Sequence, residues 1–146
     1  MKKILILFLS IIPCIVLAQN KYSLKDVQDF KKGLLLSAQK LNKSVPVRTS
    51  ENQTLIAVGV TDDVITYKYR IDNWRTNTKL TEEDILQSQF IGGYNIINSQ
   101  QYLDMFLECL RRTGLHFQIL FYSIHKTYIG GYTLTYKDFI DILDTQ

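Results

Sequence analysis

The sequence is poor in the residue types from which catalytic and metal sites are usually built. Its 146 residues include two cysteines, two histidines and one tryptophan. It has no HxH, HExxH or clustered Cys/His motif, which argues against a zinc site within one chain. Gly92-Gly93 lack the GxGxxG spacing of a phosphate-binding loop. We therefore predict no catalytic residue, no metal and no cofactor.

The first 18 residues have the pattern of a secretory signal peptide. Lys2 and Lys3 precede the apolar run 4–12, and Val16-Leu17-Ala18 resembles a signal peptidase site. We predict cleavage after residue 18 and a single exported domain over residues 19–146, a length sufficient for one core.

Two alternatives for this leader remain open. An uncleaved membrane anchor would need about 20 apolar residues, more than this run supplies. A lipoprotein would be attached through Cys14, but Ile11-Ile12-Pro13 in front of it is a poor lipobox. We expect no stable membrane span after cleavage, and a location in the periplasm or outside the cell.

The mature chain carries little net charge. Without Lys2 and Lys3, the chain has 15 basic and 14 acidic side chains. Binding to nucleic acid is therefore not predicted. Cys109 would be the single remaining thiol, which excludes a disulfide within the chain. Its neighbours Met105, Phe106 and Leu110 favour burial, and a disulfide to a second chain is the alternative.

Two β-hairpins are predicted from alternating side chains. Residues 53–60 are rich in β-branched residues, Thr61-Asp62-Asp63 is a turn signal, and residues 64–71 alternate. One side of this second strand carries Ile65, Tyr67, Tyr69 and Ile71. Residues 115–122 and 128–136 form the other pair, with Tyr128, Tyr132, Leu134 and Tyr136 on one side. Gly130-Gly131 indicate a bulge or a close backbone approach.

Four helices are predicted from capping signals and apolar repeats. Ser23, Thr81 and Thr135 each precede an acidic residue by three positions, the spacing of a capping box. The first helix should end before Val45-Pro46, and residues 46–53 are interpreted as a polar connector. The second should bury Ile85, Leu86 and Phe90 and break at Gly92-Gly93. A third should run from about residue 99 to Gly114.

The resulting order is α-β-β-α-α-β-β-α. Lys68 and Arg70 on one strand and His116 and Gln118 on another indicate a sheet with one polar face. The predicted fold class is α+β: a two-layer sandwich, with an antiparallel sheet of about four strands and helices on one face.

Trp74 and Arg75 are the candidate binding residues, because both types are favoured anchors in interfaces and Trp74 stands alone in a polar loop. The alternative is that Trp74 folds back over the hydrophobic edge of the sheet. The nine tyrosines suit either an interface or the margin of a half-buried sheet.

A family resemblance comes from residues spread over most of the mature chain. Val45-Pro46, Thr54-Leu55 and Tyr67-Lys68-Tyr69, followed by Cys109, Arg112-Thr113-Gly114 and Tyr122, resemble small exported bacterial proteins of unknown function. The order of elements is similar to that of some secretion-system pilotins, which implies a small α/β fold. No residue's function is carried over from that family.

These features favour an exported, non-enzymatic binding or accessory protein whose partner is another envelope or secreted protein. Two alternatives stay open. One is a small-ligand carrier with a pocket between sheet and helices near Trp74, and the other is a small exported hydrolase with His116 or His125 as its base.

Overall fold

In the part of the chain that the structure describes, the alternating segments form one five-stranded sheet, and four helices cover one of its faces. The computed structural model describes residues 21–146, so the predicted signal peptide lies outside the described residues. The elements in chain order are α1 (Leu24–Asn42), β1 (Val47–Ser50), β2 (Gln53–Val60), β3 (Val64–Ile71), α2 (Glu82–Ser99), α3 (Leu103–Thr113), β4 (His116–Tyr122), β5 (Tyr128–Leu134) and α4 (Tyr136–Asp144). The predicted α+β class and the two-layer arrangement are confirmed.

The sheet differs from the expectation in two details. Its strand order is β1-β2-β3-β4-β5, and β1 lies within the segment interpreted as a polar connector, paired antiparallel to β2. The β3–β4 pair is parallel, because α2 and α3 form a crossover that returns the chain to the starting end of β3, as parallel pairing requires. The remaining pairs are antiparallel, as predicted.

Three of the described helices, α1, α2 and α4, begin where their capping signals predict, whereas α3 begins at Leu103 without a side-chain cap. Ser23, Thr81 and Thr135 each accept a hydrogen bond from the backbone amide three residues on, and the acid at that position accepts from the cap backbone. α3 ends at Gly114, whose φ of 73° lies in the left-handed region that glycine adopts without strain.

The predicted break at Gly92-Gly93 is wrong, because α2 continues through both glycines. A Cβ at Gly93 would lie 2.3 Å from Ile142 Cδ1, and one at Gly92 would lie 2.2 Å from the Tyr132 hydroxyl. The glycines therefore let α2 pack closely on β5 and α4, which offsets their low helix propensity of about 1 kcal/mol each.

The core lies between the helices and the covered face of the sheet. Phe106 of α3 and Phe139 of α4 meet edge to face with ring centres 5.4 Å apart, and Phe117 of β4 contacts both rings. Cys109 has 0% exposure in this cluster, which confirms its predicted burial.

None of the described helices lies on the opposite face of the sheet, which is polar, as predicted. Thr66 donates to Gln118 across the parallel pair, and Arg70 forms an ion pair of 2.6 Å with Asp72. Tyr128 was expected beside Tyr132 but lies against Tyr122 on this face, because an irregularity in β5 shifts the register between Phe121 and Tyr122. Within residues 21–146, no helix combines the length and apolar character that crossing a membrane would need.

Candidate functional site: a cleft under helix α2

The core does not fill the whole space between helices and sheet. Beside α2, toward the β1–β2 turn, a cleft of about 690 Å³ opens on the covered face. Its floor comes from β3, β4 and β5, one wall comes from α2, and another comes from the loop that follows β3. This is the position predicted for a ligand pocket.

Strand register brings three tyrosines together in the cleft. Tyr67 of β3 is opposite Ile119 of β4, which is opposite Tyr132 of β5, and Tyr69 is opposite Phe121. Paired residues share a face of the sheet, so all five side chains point toward α2. Two phenol groups of β3 and a third from β5, which is distant in sequence, thereby line the same cleft.

The surroundings keep these phenols neutral. Burial raises the pKa of Tyr67 to about 12, and the neighbouring Tyr69 adds to this effect. The pKa values of Tyr69 and Tyr132 are raised by burial as well, and Tyr69 again contributes at Tyr132. All three phenols are therefore protonated at neutral pH.

Trp74 lies in the wall of this cleft. Its indole Nε1 donates to the Thr78 carbonyl at 2.9 Å, and its own carbonyl accepts from the Ile124 amide at 3.2 Å. Trp74 is half-buried and packs at the margin of the core, where it also borders the cleft. Arg75 is exposed and lies outside the cleft lining.

The outer side of α2 carries a second feature, an apolar strip without cover among the described residues. We call it the α2 stripe. Its members, with their exposed fractions, are Leu86 (58%), Phe90 (46%), Ile91 (50%) and Tyr94 (41%). The rings of Phe90 and Tyr94 stack with centres 6.5 Å apart, and Ile91 also lines the cleft. Cleft and stripe therefore form one continuous surface.

The expectation that Leu86 and Phe90 are buried is wrong. The core side of α2 consists of Gly93, Ile97 and the half-buried Ile85. The sequence does contain a signal of this: α2 has no charged residue after Asp84, and its apolar residues occupy more than one side. A helix whose apolar residues occupy more than one side has more apolar surface than one core can cover.

The residues considered for chemistry are dispersed. His116 Nδ1 lies 3.0 Å from the carbonyl of Gly114 in the adjacent turn, and His125 is exposed in the β4–β5 turn. Burial raises the pKa of the Cys109 thiol. Across residues 21–146, no three His, Cys, Asp or Glu side chains are grouped so that they could hold a metal ion.

These elements form a small two-layer α+β domain with an open cleft beside α2. Two solved structures of type II secretion system pilotins are similar to it. EpsS of Vibrio vulnificus matches with a TM-score of 0.54 and 15% identity, over 78% of this chain and 94% of its own. AspS of Vibrio cholerae matches with a TM-score of 0.52 and 12% identity, over 78% and 95%.

At these identities the similarity is one of fold, and at that level it confirms the pilotin-like order of elements. No protein-family model matches the sequence, and no curated protein is similar to it.

Proposed function

We propose that this chain is an exported accessory protein that binds a protein partner in the bacterial envelope through the α2 stripe. The observation that carries the proposal is the stripe itself: four large apolar side chains on one helix, each at least 41% exposed. Contiguous apolar surface of this kind marks interaction sites in soluble domains.

Two further features support this function. The leader predicts export to the periplasm or the outside of the cell, and the fold resembles that of pilotins, which are components of secretion systems. A component of a secretion apparatus is therefore the kind of partner we propose. Trp74 and the exposed Arg75 are proposed as contacts at the adjoining end of the surface, where aromatic and arginine side chains make effective anchors.

The chain offers a closely matched control for a test of the stripe. Leu86 on α2 is 58% exposed, and Leu36 on α1 is 56% exposed. Serine at either position removes a similar amount of exposed apolar surface, but only Leu86→Ser alters the stripe. A third variant, Phe90→Ser, removes its central ring.

The experiment is an affinity purification of C-terminally tagged protein from envelope and culture fractions, quantified by mass spectrometry. We expect one partner that is recovered with the parent and Leu36→Ser proteins. Its recovery should fall about tenfold or more with Phe90→Ser, because aromatic anchors supply much of the binding energy of an interface. Leu86→Ser should have a smaller effect. Equal recovery with all variants would contradict the proposal.

The cleft supports a second function, the carriage of a small ligand. Its volume of about 690 Å³ lies within the range of small-molecule sites, which are mostly apolar with a few polar groups. Trp74 is the single tryptophan of the sequence, so a change in its fluorescence reports directly on this site. Unchanged emission across a ligand panel would count against carriage.

A further inference from the structure

Three tyrosine hydroxyls in the cleft have unused hydrogen-bonding capacity. Tyr67, Tyr69 and Tyr132 all line it, and within residues 21–146 their hydroxyls form no hydrogen bond. In the same range, every fully buried side-chain nitrogen or oxygen atom has a partner. The hydroxyls are thus in contact with the open space, where each can donate one hydrogen bond and accept others.

The remainder of the wall, as far as the described part of the chain forms it, is uncharged. Among residues 21–146, the lining includes no Asp, Glu, Lys, Arg or His. Trp74, Ile96 and Phe121 supply apolar surface, while Asn73 and Asn95 supply neutral amides. An ion entering this space would lose hydration without meeting an opposite charge, which is costly. The wall therefore selects against anions and cations alike.

We infer that the cleft binds an uncharged guest with an apolar body and one amide, carbonyl or hydroxyl group, which is held by the hydroxyls of Tyr67, Tyr69 and Tyr132. This inference rests on the second function proposed above, the carriage of a small ligand, and is independent of partner binding by the α2 stripe. The apolar body occupies the space between α2 and the sheet. The polar group replaces water at the phenols, which remain protonated at neutral pH and can donate to it.

Three probes with the same eight-carbon body test the role of charge: octanamide, octanoate and octylamine. Binding to the purified exported protein is followed by Trp74 fluorescence and by calorimetry at neutral pH. We expect saturable binding of octanamide, and binding of octanoate and octylamine at least about tenfold weaker because each buries a charge.

Phenylalanine variants test the role of the hydroxyls, because they remove one oxygen and keep the ring. Replacing Tyr67, Tyr69 and Tyr132 together should weaken octanamide binding about tenfold, the equivalent of one or two hydrogen bonds. Tyr122→Phe on the open face is the matched control and should bind as the parent does. Tyr132→Phe alone should give a smaller loss of octanamide affinity. It replaces the triple variant in this test if the triple variant does not fold.

The outcomes separate the inference from the function on which it rests. If none of the three probes binds, carriage and the inference both fail. If the charged probes bind as tightly as octanamide, or if the tyrosine variants bind it as tightly as the parent, the inference is overturned while carriage stands.

Discussion

The two ends of the helix–sheet layer are built on the same strands but are filled differently. At one end, Phe117 of β4 packs against Phe106 and Phe139, and all three are at most 4% exposed. The other end begins two residues further along each strand. There Tyr67 and Tyr69 face the cleft beneath α2. We refer to these as the packed end and the cleft end.

The difference follows from which helices cover each end. The amphipathic helices α3 and α4 bring large buried side chains, Phe106, Leu110 and Phe139, to the packed end. The part of α2 nearest the cleft brings Ser88, Gly92 and Asn95 beside Ile91 and Ile96, and it directs Leu86, Phe90 and Tyr94 outward, so the space is left partly open. The packed end thus provides stability, and the cleft end leaves open surface, which we propose serves binding.

The sharpest test of this division truncates one ring at each end. Phe139→Ala leaves a cavity among buried rings and should lower the free energy of unfolding by about 3–5 kcal/mol. Tyr69→Ala at the cleft end enlarges a space that is already open, and it should lower the free energy of unfolding by about 1 kcal/mol. Urea denaturation followed by circular dichroism measures both values. Similar losses at the two positions would mean that the cleft end also belongs to the stabilising core.

The adjacent glycines of α2 separate the two ends within one helical turn. An added Cβ at Gly93 meets Ile142 and also lies 3.3 Å from Leu134 Cδ2, so Gly93→Ala should destabilise by about 1–3 kcal/mol through overpacking. Gly92→Ala meets the hydroxyl end of Tyr132, which can move toward the cleft, and alanine favours the helix by about 1 kcal/mol.

We therefore expect Gly92→Ala to be close to neutral in the same denaturation experiment. If Gly92→Ala costs as much as Gly93→Ala, Tyr132 is held rigidly and the cleft end is less adaptable than its open space indicates.

Much of the fold was predictable because its signals are local. A capping box needs only residues three positions apart, so the starts of α1, α2 and α4 follow directly from Ser23, Thr81 and Thr135. Alternation along residues 115–122 likewise identifies a strand whose odd-numbered residues are buried. These patterns depend on neighbouring residues, and the structure confirms them.

The incorrect predictions depend on contacts between distant residues. Gly92 and Gly93 indicate a helix break when only the neighbouring sequence is considered. The residues that explain them, Tyr132 and Ile142, follow about 40 residues or more later in the sequence. The pairing of β1 with β2 and the parallel β3–β4 pair are likewise set by tertiary packing. The cleft is of the same kind: a pocket near Trp74 was among the hypotheses, but the convergence of Tyr67, Tyr69 and Tyr132 depends on strand register.

Removal of the N-terminal cap of α4 is a milder test of the packed end. Thr135 accepts from the Asp138 amide, and Asp138 accepts from the Thr135 amide at 2.7 Å. Thr135→Ala should therefore lower the free energy of unfolding by about 1 kcal/mol. Thr135→Ser keeps the hydroxyl and should restore most of the loss. If serine fails to do so, the effect of alanine comes from the lost methyl group rather than from the cap.

The last effect we predict appears only at alkaline pH and belongs to the cleft end. The pKa of Tyr67 is raised from 10.0 to about 12 in the folded protein, mainly by burial. Below about pH 10 the phenol is neutral in both the folded and unfolded states, so its contribution to stability is constant. Between about pH 10 and 12 the unfolded chain releases the proton more readily, and stability falls as the pH rises.

Tyr67→Phe removes this ionisation and should make the decline in stability above about pH 10 shallower than in the parent protein. The measurement is urea denaturation at a series of pH values, and the range near neutral pH is the internal control, because there the two proteins should show the same dependence on pH. A decline of equal steepness in both proteins above about pH 10 would mean that water reaches the Tyr67 hydroxyl freely. The cleft would then lack the enclosed, weakly hydrated interior that distinguishes a binding site from an open groove.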